Sequence, residues 1–552
     1  MRNLFRAGQL LLIIALVLPL QAQKKGVSSI QSGDLKPHMK FLASDELEGR
    51  ETGSRGLEIA ARYLASQAEG LGLESVNGEE GYFQHYVIHE KAYDRENSKA
   101  VITTAGHDSL ISRDPFYFFS SNREDRTVLE GEVVFAGYGI HDVEQDYNDF
   151  KDLDIEGKIV LIMSRAPMDE KGAELRFGGQ KYSGMMSFRS KLPYIYSQNP
   201  KAVLMAYDPK SGMRSLEEVS AGMTDYLSRS RSLDGEGRES SPERARPLMV
   251  TIHRNLADLI LRESGKNLEE WQREIDRDLT PHSFPLEGTA LRIELQMKHT
   301  ELVVPNIFGL IEGSDPDLKD EVVLYMAHFD HLGTDGKGGV YNGADDNASG
   351  TAGLIEIAQA FKNEKKPPRR SVGFLWVSAE EIGLFGSQYF ADHPLIPIDN
   401  IAAVINLDMI GRTKNLEDMQ SGRSGLTISG GDTVKVIGGL QSSLVMEINK
   451  EVLEEMGMVG NYQYNDRNHP DRYFYRSDHI NFARKDIPVL FYSTGTHRDY
   501  HTVEDTEDRL DYNNFEKMVR MGYLVGDRLA GYNGPIEVDN PMSDWEDQSG
   551  SR

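Results

Sequence analysis

The chain has 552 residues, of which 39% are hydrophobic and 27% are charged, and its formal net charge at pH 7 is -26. This length exceeds the roughly 100 to 200 residues of a typical domain, so it predicts two folded units or one large unit with an insertion. The negative charge is offset by no basic run, which argues against nucleic acid or an anionic membrane surface as a partner. The sequence has no cysteine, which excludes disulfides, thiolate metal sites and a cysteine-linked lipid anchor.

The first 23 residues have the pattern of a signal peptide. Arg2 and Arg6 precede an apolar run from Leu10 to Leu20, which is about half the roughly 20 residues that a membrane-spanning helix needs. We therefore predict export to the periplasm or the extracellular medium, with cleavage near Ala22 or Gln23 and no stable membrane insertion.

Two changes of pattern divide the rest of the chain. Residues 24–95 contain apolar residues at helical spacing, at 38–47 and 56–73, and residues 96–295 consist mainly of short β-like runs between Gly and Asp turns. Within the β-rich part, Arg229 to Pro247 is polar and aperiodic, which predicts a surface loop. Residues 24–95 and 296–532 are assigned to one domain, 96–295 to an insertion in it, and 533–552 to an acidic, disordered tail.

From Val303 onward, apolar strands alternate with amphipathic helices. The strand-like runs are 321–327, 371–378, 401–407 and 487–492, and a helical run at 350–361 follows the first of them. This alternation predicts an α/β layered domain with a largely parallel central sheet.

Several chemically active side chains follow these strands. They are His328, the pair Glu380 and Glu381, Asp408, and His501. Ligands of open α/β sheets bind beyond the carboxyl ends of the strands, so we expect these groups to converge. The turn 341–350 adds Asp345, whose carboxylate is suited to bridge two cations. Helix capping by Asp346, Asn347 or Ser349 is the structural alternative for this turn.

Six segments resemble the co-catalytic di-zinc aminopeptidases of peptidase clan MH. They are AHFDHLG (327–333), NGADDNASG (342–350), SAEEIGLFGSQYF (378–390), NLDMIGR (406–412), SDHINF (477–482) and YHTVEDT (500–506). The resemblance implies an αβα fold in three layers with a mixed, largely parallel sheet. It also implies two Zn²⁺ ions per chain. Histidine nitrogen and carboxylate oxygen are ligands that suit zinc.

The same resemblance implies a role for each residue. His328 and Asp408 would complete one zinc site, Glu381 and His501 the other, and Asp345 would bridge both. Glu380 would be the catalytic base, Asp330 would orient the ring of His328, and the peptide bond Asp345–Asp346 would be cis. The two zinc ions would activate water and polarise the scissile carbonyl of a peptide with a free N-terminus.

Weaker signals surround this constellation. Ser477-Asp478-His479 is predicted either to line the substrate pocket or to hold a turn, and Asp505 to support the loop that bears His501. Tyr492 and Tyr500 are predicted either to contact an oxyanion or to pack. The β-rich insertion resembles a protease-associated domain through VVFAGYGI (133–140) and DYNDFKDLDIEGKIVLI (146–162), with a lid or a passive role left open.

Other functions remain as alternatives. A carboxypeptidase or dipeptidase of the same fold would need arginines for a substrate carboxylate, and Arg412, Arg476 and Arg498 lie close to the motifs. A non-catalytic, receptor-like protein would be expected to have lost ligands or the base, whereas all six positions are filled here. The sequence does not specify an oligomeric state, and a monomer is the default.

Overall fold

The computed structural model describes residues 25–94, 96–104, 107–111, 116–118, 125–172, 174–182, 186–211, 229–233, 247–421, 425–469 and 471–545. The predicted signal peptide and most of the predicted polar loop after Arg229 lie outside these residues. Among the helices described, none combines the length and apolar character needed to cross a membrane.

The strands are numbered in chain order. They are β1 Phe83–Tyr93, β2 Lys99–Thr104, β3 His107–Ile111, β4 Phe116–Phe118, β5 Arg126–Ala136, β6 His141–Asp142, β7 Tyr147–Asn148, β8 Ile159–Met163, β9 Ala202–Ala206, β10 Ser230–Ser232, β11 Leu248–Ile252, β12 Ser283–Ile311, β13 Val322–His328, β14 Ser371–Val377, β15 Ile401–Leu407, β16 Thr433–Gly438, β17 Val459–Asn461 and β18 Val489–Ser493.

The α-helices are numbered in the same way. They are α1 Lys25–Ser29, α2 Ser32–Leu42, α3 Arg55–Gly70, α4 Met186–Ser197, α5 Arg254–Leu261, α6 Leu268–Asp278, α7 Gly350–Asn363, α8 Phe385–Asp392, α9 Leu416–Gln420, α10 Ser443–Glu455, α11 His479–Ala483 and α12 Tyr512–Gly531.

The larger domain is built on a mixed sheet with the strand order β17-β16-β18-β15-β13-β14-β12. Strand β13 pairs in parallel with both β14 and β15, and β15 pairs in parallel with β18. Antiparallel pairs join β12 to β14 and β16 to β18. Every residue of β13 and β14 is buried, as expected for strands that are covered on both faces.

Alternate residues of β13 face two different cores. Val323, Tyr325 and Ala327 pack with α1, α2, α3, α7, α10 and α12, whereas Leu324 and Met326 belong to the core that α8 and α11 cover. The domain therefore has three layers, helix, sheet and helix, and this confirms the predicted fold class.

Strand β12 links this domain to the β-rich insertion. Its residues 283–296 pair with β5 and β2, while 297–307 pair with β1 and 307–311 with β14. Beyond β5 the insertion continues through the parallel strands β8, β9 and β11. It has its own hydrophobic cores, to which α5 and α6 contribute. Its likeness to a protease-associated domain stays a prediction.

The chain end departs from the sequence prediction. Residues 533–545 follow the surface of the larger domain, where the carboxylate of Asp539 accepts hydrogen bonds from the backbone amide of Ser443. The ring of Trp545 lies 5.8 Å from that of Phe474. The prediction of disorder is wrong for 533–545, because Met542 and Trp545 pack against a core that the acidic composition did not reveal. Residues 546–552 lie outside the described part of the chain.

Candidate metal centre

The residues at the carboxyl ends of the three central strands of the larger domain lie together at one edge of the sheet. His328 is the last residue of β13, Glu380 and Glu381 lie shortly after β14, and Asp408 directly follows β15. Because these strands are parallel neighbours, their carboxyl ends meet, and the loop after β18 brings His501 to the same place. The structure thus brings together all of the predicted residues except Asp345.

Asp346 occupies the position that the sequence analysis assigned to Asp345. Its Oδ1 atom lies 3.4 Å from Nε2 of His328, and its Oδ2 atom lies 3.1 Å from Nε2 of His501. On the first side, Oδ1 of Asp408 is 3.5 Å from Nε2 of His328. On the second side, Oε2 of Glu381 is 3.3 Å from Nε2 of His501. One carboxylate therefore faces two separate sets of histidine and carboxylate groups.

The prediction that Asp345 bridges two metals is wrong for a geometric reason. The turn Ala344–Ser349 has non-helical backbone angles at Asp346 and Asn347, and the side chains of Asp345 and Asp346 have different partners. The Asp345 carboxylate is fully buried away from the two predicted histidines, accepting from the backbone amide of Gly411 at 2.6 Å and lying 3.4 Å from Nε2 of His497. The cis peptide bond is correspondingly Asp346–Asn347, not Asp345–Asp346 as predicted.

Two buried side chains fix this turn. Oδ2 of Asp505 accepts from the backbone amides of both Asp345 and Asp346, each at 3.1 Å. Asn347 accepts from the backbone amide of Gly350 at the start of α7 and donates to the carbonyl of Leu407 at the end of β15. Asn347 therefore performs the capping function that was the alternative for this turn, while Asp346 remains free to face the histidines.

Asp330 connects the loop after β13 to the paired glutamates. Its carboxylate accepts from the backbone amides of Glu380 at 3.1 Å and Glu381 at 3.4 Å, and from the hydroxyl of Thr52. Nδ1 of His328 lies 3.2 Å from the Asp330 backbone carbonyl and 3.7 Å from its carboxylate. The His328 ring is thus held mainly by the backbone of Asp330, whereas the carboxylate positions the glutamate turn.

The electrostatic field at this edge is strongly negative. Burial lowers the pKa of His328, but the carboxylates of Glu380 and Asp408 outweigh burial and hold the pKa well above its ordinary value. For His501, Glu381 and Asp346 overcome burial in the same way and raise the pKa to about 10. The pKa of Glu380 is raised well above its ordinary range, first by burial and then by neighbouring carboxylates. Such a field favours a bound cation.

The residues fit zinc. In tetrahedral coordination at 2.0 to 2.1 Å, two ligand atoms of one zinc ion are about 3.3 Å apart. The four histidine-to-carboxylate distances of 3.1 to 3.5 Å agree with this spacing. Three of the buried atoms have no hydrogen-bond partner among the described residues, namely Nε2 of His328, Oδ1 of Asp408 and Nε2 of His501. A buried polar atom without a partner costs about 1–3 kcal/mol, which coordination to a metal would remove.

Three non-glycine residues beside the site have left-handed backbone conformations. They are Ala379 (φ 60°), Met409 (φ 59°) and His501 (φ 56°). A side chain at such a φ costs of order 1–3 kcal/mol and persists where the surroundings enforce it. Each of the three bends the chain sharply next to, or at, a residue of the cluster.

Two further buried residues contribute, and neither was predicted from the sequence. Nδ1 of His331 lies 2.6 Å from Oε1 of Glu381. The guanidinium of Arg50 donates to the carbonyls of Phe329, Asn342 and Gly343, tying the loop after β13 to the turn that bears Asp346. His331 could have been noticed as the second histidine of AHFDHLG, but Arg50 lies 278 positions before His328 and carries no local signal.

The structure also shows where the residues with weaker sequence signals lie. The hydroxyl of Ser477 donates to Oδ2 of Asp408 at 2.7 Å, and Asp478 accepts from Ser387 within the core. Tyr492 is buried and donates to Asn449, which is a packing role. Tyr500 instead lines the cleft together with Asp346, Glu380, Glu381 and Asp408, and its ring stacks on His501 at 3.8 Å.

The three arginines near the motifs have different environments. Arg412 is buried in an ion pair with Asp499 at 3.0 Å, and Arg498 contacts Asp499 and Glu417. Arg476 lines the cleft itself, with its Nη2 atom 3.5 Å from the hydroxyl of Tyr500.

An αβα sheet whose carboxyl edge carries histidines and carboxylates around a half-buried glutamate defines the class of metal-dependent hydrolases. Residues 306–524 match the sequence profile of peptidase family M28.

Individual proteins are similar to this chain. The uncharacterized protein YfbL of Escherichia coli (strain K12) is 28% identical over 306 residues, which cover 52% of this chain and 88% of that protein. An aminopeptidase from Aneurinibacillus sp. strain AM-1 superposes with a TM-score of 0.54 at 16% identity, covering 94% of this chain and 98% of the other. A zinc aminopeptidase from Bacillus subtilis gives 0.50 at 19%, covering 90% and 94%. At these identities the two structures support the fold.

Proposed function

We propose that this protein is an exported di-zinc aminopeptidase. One zinc ion would be held by His328 and Asp408 and the other by Glu381 and His501, with Asp346 bridging the two. The observation that carries the proposal is the two-sided position of Asp346, whose two oxygens face one histidine each. A carboxylate that served a single ion, or a packing role, would not need histidines on both sides.

Glu380 is the proposed general base. When bound, zinc would supply Lewis-acid activation of water and of the scissile carbonyl. Glu380 lies with His328 and Asp408 in a group whose ligand atoms are within 4.8 Å of one another, yet its neighbour Glu381 supplies the carboxylate for the other side. Glu380 would take a proton from water and return it to the leaving amine nitrogen. Tyr500, at the cleft wall, would donate a hydrogen bond to the oxygen of the substrate carbonyl.

The test compares the two neighbouring glutamates. Glu380→Gln should lower kcat by about 10²- to 10⁴-fold while the protein keeps its zinc, because a general base is removed but no ligand is. Glu381→Gln should instead lose zinc from one site. Zinc per chain, measured by atomic absorption after dialysis, reads out the difference. Full activity of Glu380→Gln, or loss of its zinc, would contradict the assignment.

The proposal that the enzyme acts at the N-terminus of its peptide substrate is supported by the family likeness and by the acidic cleft. Asp346, Glu380, Glu381 and Asp408 line it, and carboxylates suit a protonated substrate amine. Arg476 in the same cleft favours the second candidate, a carboxypeptidase or dipeptidase, because an arginine can bind a substrate carboxylate. Hydrolysis of one peptide with free, N-acetylated or C-amidated ends decides between them. An aminopeptidase should fail only on the acetylated form, and a carboxypeptidase only on the amidated form.

A further inference from the structure

We infer that His331 is a positioning residue that orients the Glu381 carboxylate toward its zinc ion. This inference rests on the proposed function, because it concerns one of the two proposed zinc sites. The resemblance to di-zinc aminopeptidases gives a role to His328 but none to His331.

The distance between His331 and Glu381 marks a hydrogen bond and not a shared metal. Nδ1 of His331 is 2.6 Å from Oε1 of Glu381, well below the spacing of about 3.3 Å expected for two ligands of one tetrahedral zinc ion. Glu381 meets His501 at that larger spacing, through its other oxygen, Oε2. His331 therefore donates to one oxygen of Glu381 and leaves the second directed at His501.

The His331 ring is locked where it stands. Its side chain is completely buried, and its backbone amide donates to the carbonyl of Arg50. The ring packs so closely on Gly343 that a Cβ added there would lie 2.5 Å from its Cγ and Cδ2 atoms. Gly343 also has a φ of +54°, so both the backbone conformation and the lack of space for a Cβ favour glycine at this position. Because this donor is already fixed, metal binding does not have to restrict the His331 side chain at a cost in conformational entropy.

The other proposed zinc site has the same design with a different donor. The hydroxyl of Ser477 donates to Oδ2 of Asp408 at 2.7 Å, and Oδ1 of Asp408 faces His328. Glu381 and Asp408 thus each have one oxygen that accepts a hydrogen bond from the protein and one directed at a histidine of the proposed zinc sites. Asp346 differs, since each of its two oxygens faces a histidine. Hydrogen-bonded partners of this kind orient ligands and typically change metal affinity by about 10- to 100-fold.

The test measures zinc affinity at both sites by competition with a chromophoric chelator, in wild type, His331→Phe and Ser477→Ala. We expect His331→Phe to weaken one of the two sites by about 10- to 100-fold and to leave the other unchanged. Ser477→Ala should weaken the opposite site. His331→Gln, whose amide retains a donor, should recover part of the affinity. Circular dichroism and the unfolding midpoint of the metal-free variants show whether each one folds.

The outcomes separate this inference from the proposed function. Wild-type protein that binds fewer than two zinc ions contradicts the di-zinc proposal itself. Two wild-type zinc ions together with unchanged affinities in His331→Phe overturn the role of His331 alone. With Co²⁺ in place of zinc, an unchanged coordination number in the visible spectrum of His331→Phe is expected. A lost ligand in that spectrum would show that His331 coordinates the metal, which also overturns the inference.

Discussion

The neighbouring residues Asp345 and Asp346 have the same side chain and different tasks. Asp346 faces the histidines, while Asp345 accepts from Gly411 and Ser349 and lies beside His497 inside the protein. The reason is local, because the irregular turn before α7 rotates one carboxylate toward the cleft and the other into the core.

This difference predicts opposite results for two matched substitutions. Asp346→Asn should lose most bound zinc, because it removes the charge of the proposed bridge. Asp345→Asn should keep both zinc ions and lower the free energy of unfolding by about 1–3 kcal/mol, since its amide oxygen can still accept from Gly411 but the buried charge beside His497 is gone. Zinc analysis and denaturant unfolding check both variants. Zinc loss in Asp345→Asn with zinc retained in Asp346→Asn would instead show that Asp345 binds the metal.

At the scale of elements, the start of α7 must approach the end of β15 closely. A Cβ on Gly350 would lie 2.2 Å from the carbonyl oxygen of Leu407 and 2.5 Å from Oδ1 of Asn347. Leu407 immediately precedes Asp408, so the contact between helix and strand sets the separation of the Asp346 turn from Asp408.

Substitution of this glycine should therefore affect stability and metal binding together. Gly350→Ala should cost about 3 kcal/mol of unfolding free energy, because backbone atoms must move, and should weaken zinc binding as well. Gly70→Ala, at the end of α3, is the matched control, since no atom lies within 4 Å of its added Cβ. It should leave zinc affinity unchanged and stabilise the protein slightly. Wild-type stability and zinc affinity in Gly350→Ala would show that the contact is not needed.

At the scale of the whole molecule, the chain has hydrophobic cores on both sides of the long strand β12. The cores of the larger domain and those of the insertion are built from different residues, although β12 runs through both. All proposed zinc ligands belong to the larger domain.

We therefore expect two transitions in thermal unfolding, with zinc acting on one of them. A ligand that binds the folded state stabilises the unit that contains its site. Removal of zinc with a chelator should lower the midpoint of the larger domain by several degrees and leave that of the insertion in place. Differential scanning calorimetry with and without chelator makes the measurement. A single transition that shifts as a whole would mean that β12 couples the two parts into one cooperative unit.

The sequence by itself determined the fold class and most of the residues that meet in the candidate metal centre. The alternation of apolar strands and amphipathic helices predicted a largely parallel sheet, and residues at the ends of parallel strands meet because all those ends lie on one edge. His328, Glu380, Glu381, Asp408 and His501 could be named for this reason, with the family likeness supplying their roles.

The tertiary structure decided what depends on direction and on contacts between distant segments. Composition and spacing cannot state which of two adjacent aspartates in an irregular turn faces the cleft, so the proposed bridging residue is Asp346 and not the predicted Asp345. His331 and Ser477 contact Glu381 and Asp408 across 50 and 69 positions of sequence, and the buried Arg50 contacts Asn342 across 292, so these contacts form only when distant segments pack together. The acidic tail at 533–545 proved to be ordered because two apolar side chains find a core, and burial of that kind is not encoded in the charge of a segment.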